Sequence, residues 1–232
     1  MDSIEDIGLY DRILPDKMYT VHQSELLKSA MNVACLDFEG VLVPEIWVGL
    51  AERTGIDALR ATTRDVPDYD ELMRQRLALM QQHKLGLADI QAAANHLEPL
   101  PGAPAFLVWL RSQFQVAIVS DTFYELAQPL IEKLNFPLML CHRLIVEDGQ
   151  ITGYQLRQND PKRQSVRAFK ALNYRVAATG DSYNDVPMLS EADRSWFFCP
   201  PENVCRDHPQ IPAVYDYVAL RDVFDAARVE FG

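Results

Sequence analysis

Short apolar runs alternate with segments of helical periodicity along most of the chain, and this alternation restricts the fold more than any other feature. NVACL, QVAIVS, LMLC, RVAATG and SWFFC are each too short for a core helix or a membrane span. Between them APAFLVWLRSQF, YELAQPLIEKL and KRQSVRAFKAL repeat apolar residues every three or four positions. Strand–helix–strand order predicts a parallel α/β sheet, whose strands are covered on both faces and so read as unbroken apolar runs. LIVEDGQITGYQL departs from the pattern and reads as a hairpin turning at Asp148–Gly149.

One stretch lacks strands. Residues 45 to 97 read as helices only: Ile46, Trp47, Leu50 and Ala51 share one face, and Gly55 is the expected stop. Tyr69, Leu72, Met73, Leu77 and Met80 share another, and ADIQAAANHL forms a third helix. Pro99, Pro101 and Gly102 mark the return. The expected organisation is an N-terminal extension over 1–30, an α/β core from 31–43 and 101–232, and a helical insert over 44–100.

Ligands of parallel sheets bind beyond the strands' carboxyl ends, so the residues there carry the functional reading. After the first strand come Asp37 and Glu39, two apart and so able to face one site. One carboxylate can accept a phosphoryl group while its neighbour moves protons, although the pair also suits a solvated loop. After QVAIV come Ser120, Asp121 and Thr122, a natural phosphate cradle or merely the cap of the next helix. Lys162 opens KRQSVRAFK and offers positive charge, as many surface lysines do. Asp181, Asn184 and Asp185 follow RVAAT, hard oxygens that suit magnesium or a polar loop. Singly each motif is ordinary. In this order, each at a strand end or helix start, they describe a phosphotransferase site with Asp37 as nucleophile.

The net charge of −11 argues against a nucleic-acid partner. No apolar stretch reaches membrane-spanning length, the acidic start is unlike an export signal, and the four cysteines show no metal-type spacing. A cytoplasmic enzyme with reduced thiols is expected.

LDFEGVLV, VSDT, Lys162 and GDSYNDVPML together resemble the motif set of the haloacid dehalogenase-like hydrolase superfamily. CLDFEGVLVPEIW, ATTRDVPDYD, VSDTFYE, YQLRQNDPKRQSV and GDSYND are similar, more narrowly, to its phosphoserine phosphatases. They are most similar to the bifunctional ones that are also phosphoserine:homoserine phosphotransferases. The likeness runs from Met31 to the C-terminus. It implies a Rossmannoid parallel sheet with the insert as a helical cap. It also implies Asp37 as nucleophile and Glu39 as general acid/base. Magnesium would be bound by Asp37, the Glu39 carbonyl and Asp181, with Asp185 behind them. Ser120 and Lys162 would grip the phosphate, and the backbone around Asp121 and the side chain of Asn184 would also face substrate. Glu45 and Arg76 would take the ammonium and carboxylate of L-phosphoserine, water or homoserine would be the acceptor, and the enzyme would be a homodimer. Periodicity separately turns Arg76 inward with Tyr69 and Met73, whereas Arg74 points about 200° away.

The chain departs from the wider pattern in several places. Glu39 stands where Asp is usual, Asp121 where simple phosphatases tend to have Gly, and one residue is missing between Asp37 and Glu45. Another small phosphorylated metabolite as substrate, a phospho-aspartate receiver module and a catalytically dead binding protein are the competing readings. The insert and Glu39, suited to rapid discharge of a phosphoaspartate, weigh against the receiver.

Overall fold

The computed structural model describes residues 31–62, 65, 66 and 68–232; the expected N-terminal extension lies outside them. Among the described residues seven strands form one sheet in the order β4-β3-β2-β1-β5-β6-β7. The first five are β1 (Met31–Leu36), β2 (Gln115–Phe123), β3 (Leu138–Glu147), β4 (Gln150–Gln155) and β5 (Tyr174–Gly180). β6 (Arg194–Phe198) and β7 (Ala213–Val214) complete the sheet. All neighbours are parallel except β3 and β4.

β1 is central, with Leu36 level with Ile118 of β2 on one side and Thr179 of β5 on the other. Successive residues of a strand face opposite ways. Accordingly Ala34 and Leu36 join one core cluster, and Val33 and Cys35 join the other. Both faces are thus covered, which is why β1 reads as a continuous apolar run.

Between β1 and helix α4 (Ala103–Gln113) lie α1 (Ile46–Thr54), a 3₁₀ turn (Asp57–Arg60), α2 (Tyr69–Gln82) and α3 (Leu87–His96). Gly55 ends α1 as expected, at φ 71° with its N–H on the Ala51 carbonyl at 2.8 Å. The insert is fastened to the core by the Leu87 N–H on the Gly149 carbonyl at 2.9 Å and Gln91 on the Glu125 carbonyl at 2.8 Å. Further along come α5 (Tyr124–Lys133), α6 (Pro161–Ala171), α7 (Val186–Glu191), α8 (Glu202–Asp207) and α9 (Tyr217–Phe231). α9 packs Phe224 against Phe106 and Phe114, and the Tyr217 hydroxyl donates to the Val41 carbonyl at 2.6 Å.

Two local readings change. LMLC and the first arm of the hairpin are one strand, β3. Its first half pairs with β2 and its second with β4, so the polar His142 and Arg143 interrupt the apolar pattern without ending the strand. The strand containing VAIVS also continues to Phe123, which precedes α5 with no side-chain cap. Ser120, Asp121 and Thr122 are therefore not the helix cap that their residue types suggest.

Candidate active site

The ends of β1, β2 and β5 lie side by side, and the start of α6 adds Lys162 to them. The Asp37 N–H extends the pairing with β5 by bonding the Thr179 carbonyl at 3.0 Å. The chain then turns tightly, with the N–H groups of Leu42 and Val43 both on the Phe38 carbonyl. Gly40 makes this turn possible at φ +80°, and a Cβ there would lie 2.4 Å from Oδ2 of Asp181. Gly40→Ala is expected to cost at least about 1–2 kcal/mol from the left-handed backbone alone. Calorimetry should record this as a fall in Tm of roughly 2–8 °C; an unchanged Tm would contradict the close approach.

The turn brings Glu39 back beneath the insert, where its Oε1 accepts the N–H of Ile46, the first residue of α1, at 2.7 Å. Burial raises the Glu39 carboxyl to about 8, helped by the charge of Glu45 and opposed by the Ile46 N–H and Arg76. The group therefore holds a proton at neutral pH, as a general acid must.

Lys162 is buried beside three acids: its Nζ is 2.6 Å from Asp185 Oδ1, 3.0 Å from Asp37 Oδ1 and 3.7 Å from Asp121 Oδ2. Burial disfavours the ammonium, but Asp185, Asp37 and Asp121 outweigh it and hold its pKa well above the usual lysine range. Asp37 is pushed above the usual carboxylate range by burial, then by Asp185 and Asp181, with Lys162 opposing. Asp121 goes the other way: despite burial, Lys162, His142 and Asn184 hold it down to about 2.

Asp37, Asp181 and Asp185 are all buried, with ligand atoms within 4.8 Å of one another. Three hard oxygens in so small a space, with Asp37 raised by its acidic neighbours, fit a divalent cation. Asp185 is already engaged, its Oδ1 by Lys162 and its Oδ2 by the N–H groups of Asp181 at 2.9 Å and Ser182 at 3.1 Å.

A cavity of about 70 Å³ joins these acids to the insert, lined among others by Asp37, Glu39, Glu45, Trp47, Arg76 and Ser120. Arg76 is buried, whereas Arg74 is exposed and paired with Glu71. The Arg76 guanidinium stacks 4.5 Å over the Trp47 ring and gives one N–H to the Ala61 carbonyl at 2.9 Å, while its Nε has no partner. Among the described residues no carboxylate lies within ion-pair distance of it. Asn184 donates to Asp121 Oδ2 at 2.9 Å, and the Ser120 hydroxyl accepts the Thr122 N–H at 3.2 Å.

All ten residues singled out in the sequence thus gather here, with Lys162 and Asp185 just behind the cavity wall. Trp47, Tyr69 and His142 were missed, and Thr122 was read only as part of the cradle or cap after β2. Periodicity turned Trp47 and Tyr69 inward, yet it does not distinguish a packed core from a cavity wall. His142 sits inside a strand and carries no sequence signal.

Residues 26–190 match the family model of the haloacid dehalogenase-like hydrolases. The chain belongs to this family and is an enzyme. It is 60% identical over 195 residues to phosphoserine phosphatase ThrH of Pseudomonas aeruginosa, a match that covers 84% of this chain and 95% of that one. It is 59% identical over 196 residues to a phosphoserine phosphatase of Pseudomonas syringae pv. tomato, covering 84% and 83%. Among solved structures, a substrate-bound phosphoserine phosphatase complex shares the fold with a TM-score of 0.69 at 21% identity, over 84% of this chain and 98% of that one. No helix of the described residues is long and apolar enough to cross a membrane.

Proposed function

We propose that the enzyme is a magnesium-dependent phosphoserine phosphatase that forms an aspartyl-phosphate on Asp37 and can also pass the phosphate to homoserine. The observation that carries the substrate is Arg76, a buried guanidinium in the same cavity as Asp37, with an unpartnered N–H and, among the described residues, no carboxylate within ion-pair distance. Burying an unpaired charge is costly unless a ligand completes it, and a carboxylate matches a guanidinium edge. Glu45, on the same cavity wall, takes the ammonium. The names of the two Pseudomonas relatives support the same substrate.

Asp37 attacks phosphorus; the new Oδ–P bond forms as the bond to the serine oxygen breaks, and Glu39 gives that oxygen its proton. Glu39, now a carboxylate, takes a proton from water or from the homoserine hydroxyl as its oxygen attacks the phosphoaspartate. Phosphate or phosphohomoserine leaves and Asp37 is restored. Lys162, Ser120 and Asn184 hold the phosphoryl oxygens, with the main chain around Asp121. Asp37, the Glu39 carbonyl and Asp181, with Asp185 behind them, would hold magnesium, which would supply the positive charge that keeps Asp37 ionised. Residues 44–100 form a cap over the core of 31–43 and 101–232 and exclude water during transfer.

The test is to incubate the enzyme with phosphoserine and magnesium, with and without homoserine, and to measure phosphate and phosphohomoserine. Neither product would refute the substrate; phosphate without phosphohomoserine would refute the transfer. Arg76→Ala is expected to lower kcat/KM for phosphoserine about 100-fold, since charged hydrogen bonds are lost. Phosphoethanolamine, which lacks the carboxylate, should lose less than about tenfold. Equal losses for both would remove Arg76 from substrate recognition.

A further inference from the structure

His142 belongs to none of the motifs above, yet it is buried beside them, 3% exposed, between the rings of Tyr69 and Phe123. Its Nδ1 accepts the main-chain N–H of Arg157 at 3.1 Å. A ring nitrogen that accepts carries no hydrogen, so in the neutral imidazole the hydrogen is on Nε2. Nε2 faces Asp121 Oδ1 at 3.7 Å. The Arg157 main chain is fixed in turn, because its side chain bonds the Pro161 carbonyl at 2.9 Å and the Ser165 hydroxyl at 2.7 Å.

Asp121 has four neighbours. His142 faces one carboxylate oxygen, Asn184 donates to the other with the Lys162 ammonium 3.7 Å from it, and the Tyr69 hydroxyl donates to its carbonyl at 2.9 Å. The side chain needs holding. A second cavity of about 580 Å³ adjoins the first, and Asp121 stands in the wall between them together with Tyr69, Ser182 and Asn184. Freed from His142, the carboxylate has room to turn into that space, loosening the Asn184 amide and the main chain beside Ser120.

We infer that His142 is a positioning residue for phosphate binding: it anchors Asp121, and through Asp121 it sets the Asn184 amide and the main chain that meet the phosphoryl group. The inference rests on the phosphoryl-transfer reading of the site. At this position a glycine would leave the main chain free to move, whereas a tethered aspartate pre-organises it.

The test is calorimetric titration of inorganic phosphate into the magnesium-loaded enzyme. His142→Ala is expected to weaken phosphate about tenfold, the scale of coupling between side chains of one polar network. That loss should vanish when His142→Ala is made in an Asp121→Ala background, whichever way Asp121→Ala alone moves the affinity. His142→Gln, which can place an amide N–H near the Nε2 position, should restore binding to within about threefold, and the shorter His142→Asn should not. The inference is overturned by a tenfold loss that persists in the Asp121→Ala background, by unchanged affinity in His142→Ala, or by equal behaviour of the Gln and Asn variants. The last comparison stands even where His142→Ala fails to fold. Absence of phosphoserine turnover by the unmodified enzyme would count against the substrate alone, because phosphate affinity is measured without it.

Discussion

Asp37→Asn is expected to abolish both phosphate release and transfer, lowering turnover by at least about 10⁴-fold, the scale of losing a nucleophile. The same change should leave Tm unchanged or higher. Burial, Asp185 and Asp181 all disfavour the Asp37 carboxylate, so a neutral side chain of the same shape relieves repulsion. Lys162 keeps Asp185 at 2.6 Å, and the Asp37 N–H to the Thr179 carbonyl belongs to the main chain. Activity and stability should therefore move independently, which turnover assays and calorimetry on one preparation can read. Residual turnover above about 1% of the unmodified enzyme would remove Asp37 as nucleophile.

Glu39→Gln should cost about 10²–10⁴-fold in kcat for phosphoserine, the usual range for a lost general acid. An amide oxygen still accepts the Ile46 N–H, so the start of α1 is kept. The loss should depend on the leaving group, because p-nitrophenolate departs without a proton whereas the serine alkoxide cannot. With p-nitrophenyl phosphate, rapid-quench measurements should show a burst of nitrophenol followed by slow discharge of the phosphoaspartate. Equal slowing of both phases would mean that Glu39 only shapes the site. A burst as large in the unmodified enzyme would place slow discharge elsewhere.

Much of this site was legible because parallel strands force it to be. Asp37, Ser120 and Asp181 each lie at or just past an apolar run, and strand order brings β1, β2 and β5 together whatever the intervening loops do. Helical spacing also separated Arg76 from Arg74, since a buried guanidinium must lie on the face carrying Tyr69 and Met73. Legibility failed where a residue's type and its role diverge. Ser120, Asp121 and Thr122 look like a helix cap, but the strand runs on through them. His142 lies inside β3, and only three-dimensional pairing sets it against Asp121, 21 positions earlier in the chain. The end of β3 was misread for the same reason, because its two halves bond different neighbours.

The Tyr69 hydroxyl bonds the carbonyl of Asp121, so the first turn of α2 and the end of β2 share one fastening. A cavity of about 70 Å³ is well below the few hundred of a typical ligand pocket. Under the proposed reading of the insert as a cap that lifts to admit an amino acid, lifting breaks this fastening. Admission of the next molecule and slackening of the hold on phosphorus become a single event with a single clock. Under the proposed transfer to homoserine, the acceptor is then whichever of water and homoserine is inside when the fastening closes again. The ratio of the two products should follow the occupancy of that interval rather than the intrinsic reactivity of either acceptor.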